Sequence, residues 1–223
     1  MDTVYGPQYG DKADLKNIEL AKLVYSLRQQ LDIHRIIILN KDELKPLEMG
    51  GDFWAIVHFM ALDAAVVTIS KMFEYDTMNY ERNSIPGIVA ELTKLKIDPN
   101  KTAGLQGFCK KHSASFSTDQ PAAGLCSALG IFKEKNSNAF HQLKTYRNKF
   151  ASHSEHGFPP MNELPSHKEF EAIYQFSYDF YRSVCSAVGD GVQGAAMQCR
   201  ADVGLNEILE RLGLKNVRRD FCE

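Results

Sequence analysis

The sequence predicts an all-α protein built as an antiparallel helical bundle, and three observations favour that class. Apolar residues recur at three- and four-residue spacing through most of the chain, which is the period of amphipathic helices. No stretch alternates apolar and polar residues as a half-buried strand does. Capping and breaking residues separate the periodic segments, and no internal repeat is present. Long helices joined in this way pack antiparallel around a common core.

Composition sets the size and the charge of this bundle. The 223 residues are 44% hydrophobic and 24% charged, which is enough for one sizeable core or for one core with an appendage. The formal net charge is −2 and the pI is about 6.4, so no global positive field draws the chain to nucleic acid or to an anionic membrane. Any contact with nucleic acid must therefore come from a local patch.

Cysteine usage and hydropathy predict the compartment. The five cysteines are scattered and form no CxxC pair, which favours reduced thiols over a disulfide framework. The start, MDTVYGPQYGDKADL, lacks the basic-then-apolar order of a signal peptide. The longest apolar run, Ala61 to Ile69, contains Asp63 and is too short to span a bilayer. We therefore expect a cytoplasmic protein without membrane contact.

Long helices are predicted in the first part of the chain. KNIELAKLVYSLRQQL has a clear apolar face, and DIHRIIILNKDEL follows it. The isoleucines of that second segment favour a strand, but no strong turn residues bound it, so we interpret it as a helix that continues or restarts. Gly50 and Gly51 then break the chain. Asp52 is predicted to cap FWAIVHFMALDAAVVTISKMFEY, which is apolar nearly all round, as a central buried helix is.

The middle of the chain contains a helix start and a predicted loop. In NSIPGIVAELTKL, Ser84 has the position of an N-cap and Pro86 lies in the first turn, where its missing N–H costs nothing. Residues 98–122 hold glycines, prolines and the polar run KKHSASFSTDQP, and we expect a mobile loop insertion there. NSNAFHQLKTYRNKFASH then restores the helical period after a cap at Asn136 or Ser137.

The last part of the chain divides the protein into two regions. Ser166 and Glu169 have the spacing of a capping box at the start of SHKEFEAIYQFSYDFYRSVCSAV. Beyond it, glycines loosen the chain before LNEILERLG, a short terminal helix with Gly213 as its C-cap signal. The predicted domains are a helical bundle over residues 12–188 and a C-terminal appendage over residues 189–223.

The stretch KTYRNKFASHSEHG, residues 144–157, holds the candidate site. An apolar seam ends at His153, with members spaced by four, three, four and three residues: Ala139, Leu143, Tyr146, Phe150 and His153. In an ideal α-helix Arg147 lies ~120° around the axis from His153 and ~9 Å along it. The two side chains meet only if the helix frays after Ala151, or if a second copy packs on the seam and places each arginine beside the other's histidine.

Arg147, Asn148, four further residues and His153 resemble the R-x(4–6)-H motif of the HEPN superfamily, where a polar residue follows the arginine. The longer LKTYRNKFASHSE, and FWAIVHFMALDAAVVTISKMF before it, are similar to the abortive-infection (AbiU-type) branch, and the order of elements agrees over residues 12–188. The resemblance implies an all-helical bundle and a metal-independent ribonuclease whose dimer pools two motifs in one cleft. It further implies a toxin or phage-defence role and an antitoxin or regulatory protein as a partner.

These residue types suit cleavage of RNA without a metal or a cofactor. RNA carries its own nucleophile, the 2′-OH, which attacks the neighbouring phosphate. His153 is a candidate acid–base group because the ordinary histidine pKa of ~6.5 lies near working pH. Arg147 can hold the phosphate through paired N–H donors and stabilise the charge of the transition state. Asn148 can orient the phosphate or the imidazole, and Lys149 adds positive charge.

The same residues also have structural interpretations. A histidine that ends an apolar seam is often an interface or capping residue, and an arginine such as Arg147 often forms a surface ion pair, here with Glu155 or Glu163. The alternative function is therefore a catalytically inactive HEPN-like helical module that binds a protein or RNA partner. The two functions differ in whether Arg147 and His153 act on RNA.

Other candidate sites have weaker patterns. His153, Glu155 and His156 suggest a metal site, but no further ligand follows at clear spacing. Cys109 and His112 suggest a nucleophile and its base, but no orienting acid is apparent. Aromatic residues of the last long helix can stack on bases, although their spacing fits a core plus a dimer surface better. These aromatic residues are Phe170, Tyr174, Phe176, Tyr178, Phe180 and Tyr181.

Overall fold

The computed structural model describes residues 9–44, 53–74, 83–151 and 164–188, together with residues 210, 211 and 213. Within these residues every regular element is a helix. The helices are α1 (Tyr9–Leu39), α2 (Lys41–Leu44), α3 (Phe53–Phe73), α4 (Ile85–Leu92), α5 (Ala103–Lys111), α6 (Pro121–Lys135), α7 (Ser137–Tyr146) and α8 (His167–Val188). A short 3₁₀ turn, Pro99–Lys101, precedes α5, and a π-helical turn, Arg147–Ala151, continues α7. The predicted all-α class and the packed helical bundle are confirmed.

Helix α1 confirms the helical interpretation of the isoleucine-rich segment. It runs without a break to Leu39 and packs against both α3 and α8. Its apolar face is fully buried at Leu20, Leu27 and Leu31. Burial of this face outweighs the strand preference of the isoleucines, because helix packing contributes more than single-residue propensity.

Aromatic side chains fill the centre of the bundle. Phe132 of α6 stacks on Phe176 of α8 with ring centroids 4.0 Å apart. Phe108 of α5 meets the edge of Phe176 at 5.2 Å, and Phe73 of α3 lies 6.0 Å from the same ring. Burying each phenylalanine contributes about 1.5–3 kcal/mol to stability. The α8 face that was expected to be core is therefore core, with Phe170, Phe176 and Phe180 fully buried.

Side-chain caps fix two of the helix starts that the sequence indicated, those of α4 and α8. The hydroxyl of Ser84 accepts a hydrogen bond from the backbone N–H of Gly87 at 3.2 Å. At α8 the capping box is complete, since the Glu169 carboxylate accepts from the Ser166 backbone N–H at 2.7 Å and the Ser166 hydroxyl accepts from the Glu169 N–H at 3.3 Å. Asn136 precedes α7, but its amide donates to the Phe132 carbonyl at 2.9 Å and so closes α6 instead. Asp52 lies outside the described residues.

The prediction of a loop insertion over residues 98–122 is wrong in its central part. Helix α5 occupies Ala103–Lys111 and packs against α6 and α8, with Leu105, Phe108 and Cys109 buried. Gly104 suggested a break, yet it serves close packing: a Cβ there would lie 2.2 Å from the Ser186 hydroxyl of α8. Irregular backbone is confined to the connections around α5.

Helix α3 is central, but only its inner face is buried as predicted. Its outer stripe begins with Phe53, Ile56 and Met60, which are 59%, 52% and 65% exposed. At ~100° per residue these three lie within ~60° of one another on the helix, opposite the buried Leu62 and Ile69. The α3 segment is apolar nearly all round because both its buried inner face and its exposed outer stripe consist mainly of apolar residues.

By length and composition α3 also meets the criteria for a membrane span. Its most apolar 18-residue window has a mean hydropathy of 1.7, and 39% of that window is buried. This window includes Asp63, the residue that interrupts the apolar run from Ala61 to Ile69. Core helices of soluble proteins meet the same criteria, and the inner face of α3 belongs to the core cluster. The expected absence of membrane contact and the cytoplasmic location stay predictions.

Most of the predicted C-terminal appendage, residues 189–223, lies outside the described residues. Glu210 and Arg211 are helical, and the Gly213 N–H donates to the Glu210 carbonyl at 3.1 Å. Gly213 has a φ of +68°, the left-handed conformation that a C-cap glycine adopts. The division into a bundle and an appendage stays a prediction.

Candidate functional site

Helix α7 places the candidate arginine against α3. Phe140 near the start of α7 contacts Phe73 at the end of α3, with ring centroids 5.0 Å apart. Tyr146 at the end of α7 donates its hydroxyl to Asp63, in the middle of α3. The two helices are therefore antiparallel, and α7 runs from the C-terminal end of α3 toward its N-terminal half.

The buried seam of α7 is confirmed as far as its side chains are described. Ala139, Leu143 and Tyr146 are buried. Burial, together with the Asp63 carboxylate, raises the pKa of the Tyr146 phenol well above its usual value of 10.0. Tyr146 thus stays protonated and ties the end of α7 to α3, so it orients the residue that follows.

Arg147 is the first residue of the π-helical turn Arg147–Ala151. A π-turn holds one more residue per hydrogen-bonded ring than an α-turn, and such turns occur frequently at functional sites. Helical side chains lean toward the N-terminus of their own helix, which here is toward the C-terminal end of α3. The Arg147 guanidinium accordingly forms an ion pair with Glu74, the residue directly after α3.

The Arg147–Glu74 pair lies at the surface. The two side chains are 31% and 33% exposed, so a solute can reach both. Lys133 of α6 lies beside this pair, since its ammonium donates to the Phe73 carbonyl at 3.0 Å. Burial lowers the pKa of Lys133 below its usual 10.5. The site therefore combines a carboxylate with cations from the π-turn and from α6.

The supporting residues also face solvent. Asn148 and Lys149 are exposed within the π-turn, and Lys144 is exposed one turn earlier in α7. Lys144 and Lys149 thus add two exposed cations close to Arg147 along the chain, and a mildly acidic protein needs such local charge to bind a polyanion. Their exposure agrees with the supporting role that the sequence assigned to Asn148 and Lys149 and does not test it.

His153 lies outside the described residues, so its distance from Arg147 stays a prediction. The π-turn does change the basis of that prediction. The ~120° separation assumes α-helical steps throughout, whereas a π-turn advances through a smaller angle per residue. His156, Glu155 and Glu163 are outside the described residues as well, and the ion pair of Arg147 within the described residues is with Glu74.

Sequence reasoning missed the acidic side of this site. Asp63 and Glu74 are 83 and 73 residues from their partners Tyr146 and Arg147. No local pattern connects residues at such separations. One available signal is the helical period of α3, because Asp63 and Glu74 recur on the same outer stripe as the apolar residues that precede them.

The cysteine candidate is not arranged for nucleophilic chemistry. Cys109 is fully buried in α5, and burial raises the pKa of its thiol from 9.0 to about 11. A thiol that resists ionisation is a poor nucleophile. The His112 ring lies among Phe108, Phe132 and Phe176, with centroids 4.6, 6.1 and 4.7 Å away, so it belongs to the aromatic core.

The remaining candidates are also accounted for within the described chain. Among the described residues no group of three or more His, Cys, Asp or Glu side chains is arranged to hold a metal ion. In the aromatic series of α8, Phe170, Phe176, Phe180 and Tyr181 are buried, whereas Tyr174 and Tyr178 are half-buried. Most of this series therefore packs inside the bundle, where bases have no access.

A histidine junction between α1, α3 and α8 was not foreseen. His34 Nδ1 and His58 Nε2 are 2.6 Å apart, a hydrogen-bond distance, and the His167 ring centroid lies 6.1 Å from that of His34. Burial, and then the neighbouring His58 and His167, lower the pKa of His34 to about 4. His34 and His58 are buried between α1 and α3, whereas the His167 side chain at the start of α8 is 37% exposed.

Comparison with protein-family models, with curated proteins and with solved structures finds no match to this chain. The functional assignment therefore depends on the residues of the site and on the motif that they form.

Proposed function

We propose that the protein is a metal-independent endoribonuclease of the HEPN type with a cytoplasmic toxin or phage-defence role. Arg147 binds the scissile phosphate, and His153 transfers a proton to or from the reacting oxygens. Asn148 and Lys149 support the binding of the phosphate. RNA is the substrate, and no metal or cofactor takes part.

The observation that carries this proposal is the placement of Arg147. It begins a π-turn at the surface, is preceded by a buried anchoring tyrosine, and is followed by the exposed Asn148 and Lys149. An arginine that only packs against the bundle needs neither a π-turn nor exposed polar and basic neighbours such as Asn148 and Lys149. The Glu74 carboxylate holds the guanidinium in place before RNA arrives, and such preorganisation favours catalysis.

We further propose that the enzyme is a two-fold homodimer with α7 and the π-turn near the interface. The exposed apolar residues Phe53, Ile56 and Met60 share the outer stripe of α3 with Asp63, which anchors Tyr146. Since α7 runs toward that apolar end, a second copy that covers the stripe lies beside both motifs. Light scattering is expected to show a dimer at micromolar concentration, and Met60→Glu is expected to convert it to monomer. A parent chain that is monomeric there contradicts the dimer.

The ribonuclease is tested by cleavage of end-labelled RNA in EDTA. We expect products with a 2′,3′-cyclic phosphate or its hydrolysis product, and resistance of DNA and of 2′-O-methyl RNA. Arg147→Ala and His153→Ala are each expected to lower the rate by ~10²–10⁴-fold. Lys22→Ala is the matched control, because Lys22 forms an exposed pair with Glu19 at 2.5 Å in α1.

Stability measurements separate loss of chemistry from loss of fold. Because the Arg147–Glu74 pair is partly exposed, removing it changes the free energy of unfolding by no more than about 1 kcal/mol. Arg147→Ala is therefore expected to melt like the parent while losing cleavage. Cleavage that needs added magnesium or manganese, or a parent chain that cuts no RNA, rejects the ribonuclease.

A second candidate function is a catalytically inactive HEPN-like module that binds a protein or RNA partner, such as an antitoxin or regulatory protein. The observation that favours it is the Arg147–Glu74 ion pair, which already satisfies the arginine. In that case Arg147→Ala and His153→Ala leave partner binding intact, and the parent chain cleaves no RNA.

A further inference from the structure

We propose that Glu74 is the general base of the cleavage reaction, taking the proton from the 2′-OH. This inference rests on the proposed ribonuclease function and adds a catalytic residue to it. Glu74 lies outside the motif, 73 residues before Arg147, and only the fold brings the two together.

The reaction requires one group that takes a proton from the 2′-OH and another that gives a proton to the 5′ oxygen. His153 can fill only one of these two roles at a time. The 2′-OH gives its proton to the Glu74 carboxylate while the 2′ oxygen bonds to phosphorus. The bond between phosphorus and the 5′ oxygen breaks, and that oxygen takes a proton from the His153 imidazolium. The products are a 2′,3′-cyclic phosphate and a 5′-hydroxyl, so atoms and charges balance without a metal or a redox partner.

The ion pair places Glu74 where a base is needed. Arg147 and Glu74 are in direct contact, and each side chain is about one-third exposed at 31% and 33%. A 2′ oxygen poised to attack lies ~3–3.5 Å from the phosphorus. A carboxylate that touches the guanidinium holding that phosphate is therefore within reach of the 2′-OH of the same nucleotide.

The charges around Glu74 also favour a phosphate at this point. Arg147 faces it from the π-turn, Lys133 donates to the neighbouring Phe73 carbonyl from α6, and Lys71 is exposed one turn earlier in α3. Arg147 is thus in contact with the carboxylate, and Lys133 is bonded to the backbone directly before it. The Arg147 guanidinium has five N–H donors, so it can bind a phosphate while it still contacts Glu74, and the carboxylate beside that phosphate can accept a proton from the sugar.

The test compares Glu74→Gln with the parent chain in single-turnover cleavage over a range of pH. The amide keeps the size of the side chain and can still accept a hydrogen bond from Arg147, but it is not a base. We expect the rate to fall by ~10²–10⁴-fold and the acid limb of the pH–rate profile to disappear. Glu19→Gln removes an exposed carboxylate paired with Lys22 and is expected to cleave like the parent.

Two further measurements distinguish a base from a residue that only positions Arg147. Binding of 2′-O-methyl RNA, which cannot be cleaved, is expected to be unchanged in Glu74→Gln, because the phosphate contact persists. Glu74→Asp keeps a carboxylate and is expected to retain the acid limb at a reduced rate. Equal melting temperatures of these variants and the parent show that the fold is intact.

The outcomes separate this inference from the proposed function. If the parent cleaves RNA while Glu74→Gln keeps its rate and its acid limb, the base is another group, such as the second histidine of a dimer, and the ribonuclease stands. If Glu74→Gln loses rate and 2′-O-methyl RNA binding together but keeps the acid limb, Glu74 only positions Arg147, which also overturns the inference. A parent chain without cleavage rejects both.

Discussion

The outer stripe of α3 has a different character in its two halves. The N-terminal part presents Phe53, Ile56 and Met60 to solvent, an apolar surface with no described helix packed over it. The C-terminal part presents Asp63 and Glu74, and these are covered by Tyr146 and Arg147 from α7 and its π-turn. One helix thus offers an apolar surface and an acidic surface in succession.

The inner face of α3 has no such division along its length. It is buried from His58 to Phe73 and packs mainly on α1. Core packing therefore fixes the helix, and the outer stripe is left to carry assembly at one end and the candidate site at the other. Stability is expected to depend on the inner face, whereas activity and association depend on the outer one.

The largest expected effect separates a buried from an exposed apolar residue of α3. Phe73 is buried against the rings of Phe132 and Phe140, so Phe73→Ala is expected to lower the free energy of unfolding by ~3–5 kcal/mol. Met60→Ala, on the exposed stripe, is expected to change it by less than ~0.5 kcal/mol. Urea unfolding with an unchanged m-value measures both.

The dependence of stability on protein concentration is expected to differ between Met60→Ala and Phe73→Ala. If a second copy covers the stripe, Met60→Ala destabilises only at concentrations where the dimer forms, because association adds to apparent stability by mass action. Phe73→Ala is expected to act equally at every concentration. Equal losses for both variants at high dilution contradict the division between the two faces.

The second prediction concerns pH and the inner face of the N-terminal half, where His58 meets His34. Burial, followed by His58 and His167, lowers the pKa of His34 from 6.5 to about 4, and burial lowers the pKa of His58 and His167 as well. Below pH 6.5 the three histidines therefore bind protons in the unfolded chain that they do not bind in the folded junction. Stability is complete above pH 6.5 and is lost as the pH falls toward about 4, with His34 contributing up to ~3 kcal/mol.

Variants at the junction check that assignment. His34→Gln can hydrogen-bond but does not titrate, so the decline in unfolding free energy between pH 7 and pH 5 is expected to be shallower. His141→Gln is the control, because His141 is exposed in α7. The charged neighbours Arg28, Arg35 and Glu171 stay in place in both variants. An unchanged pH dependence in His34→Gln places the acid sensitivity elsewhere.

Local signals explain how much of the fold the sequence predicted. The apolar period of α1, the Ser84 cap and the Ser166–Glu169 capping box each depend on residues a few positions apart, and all were predicted correctly. Helix α5 was missed because Gly104 has the appearance of a loop residue. Gly104 instead lies against Ser186 of α8, which is a tertiary contact that no local pattern shows.

The candidate site divides in the same way. Arg147, Asn148 and Lys149 form part of a continuous motif, so they were found in the sequence. Their acidic counterpart Glu74 was not, because only packing of α7 on α3 brings it near. The histidine junction likewise joins residues of α1, α3 and α8. A single sequence shows the residues of such clusters but not their proximity.

The smallest expected effect concerns α6, which closes the C-terminal half of α3 through Phe132 and Lys133. Two glycines of this helix form a matched pair. A Cβ at Gly124 would lie 2.8 Å from the Ser115 carbonyl oxygen and 3.2 Å from the Cys109 sulfur, so Gly124→Ala must move the backbone of the preceding connection. A Cβ at Gly130 has no neighbour within 4 Å.

Gly124→Ala is therefore expected to destabilise the fold by ~1–3 kcal/mol, the usual cost of overpacking. Gly130→Ala is expected to stabilise it by ~0.5–1 kcal/mol, because alanine loses less backbone entropy in a helix. Thermal unfolding of the two variants beside the parent measures the opposite shifts. If residues 98–122 were a loose insertion, the connection at Ser115 would yield and both variants would gain stability. Opposite signs require that the connection at Ser115 is packed closely onto α6 at Gly124.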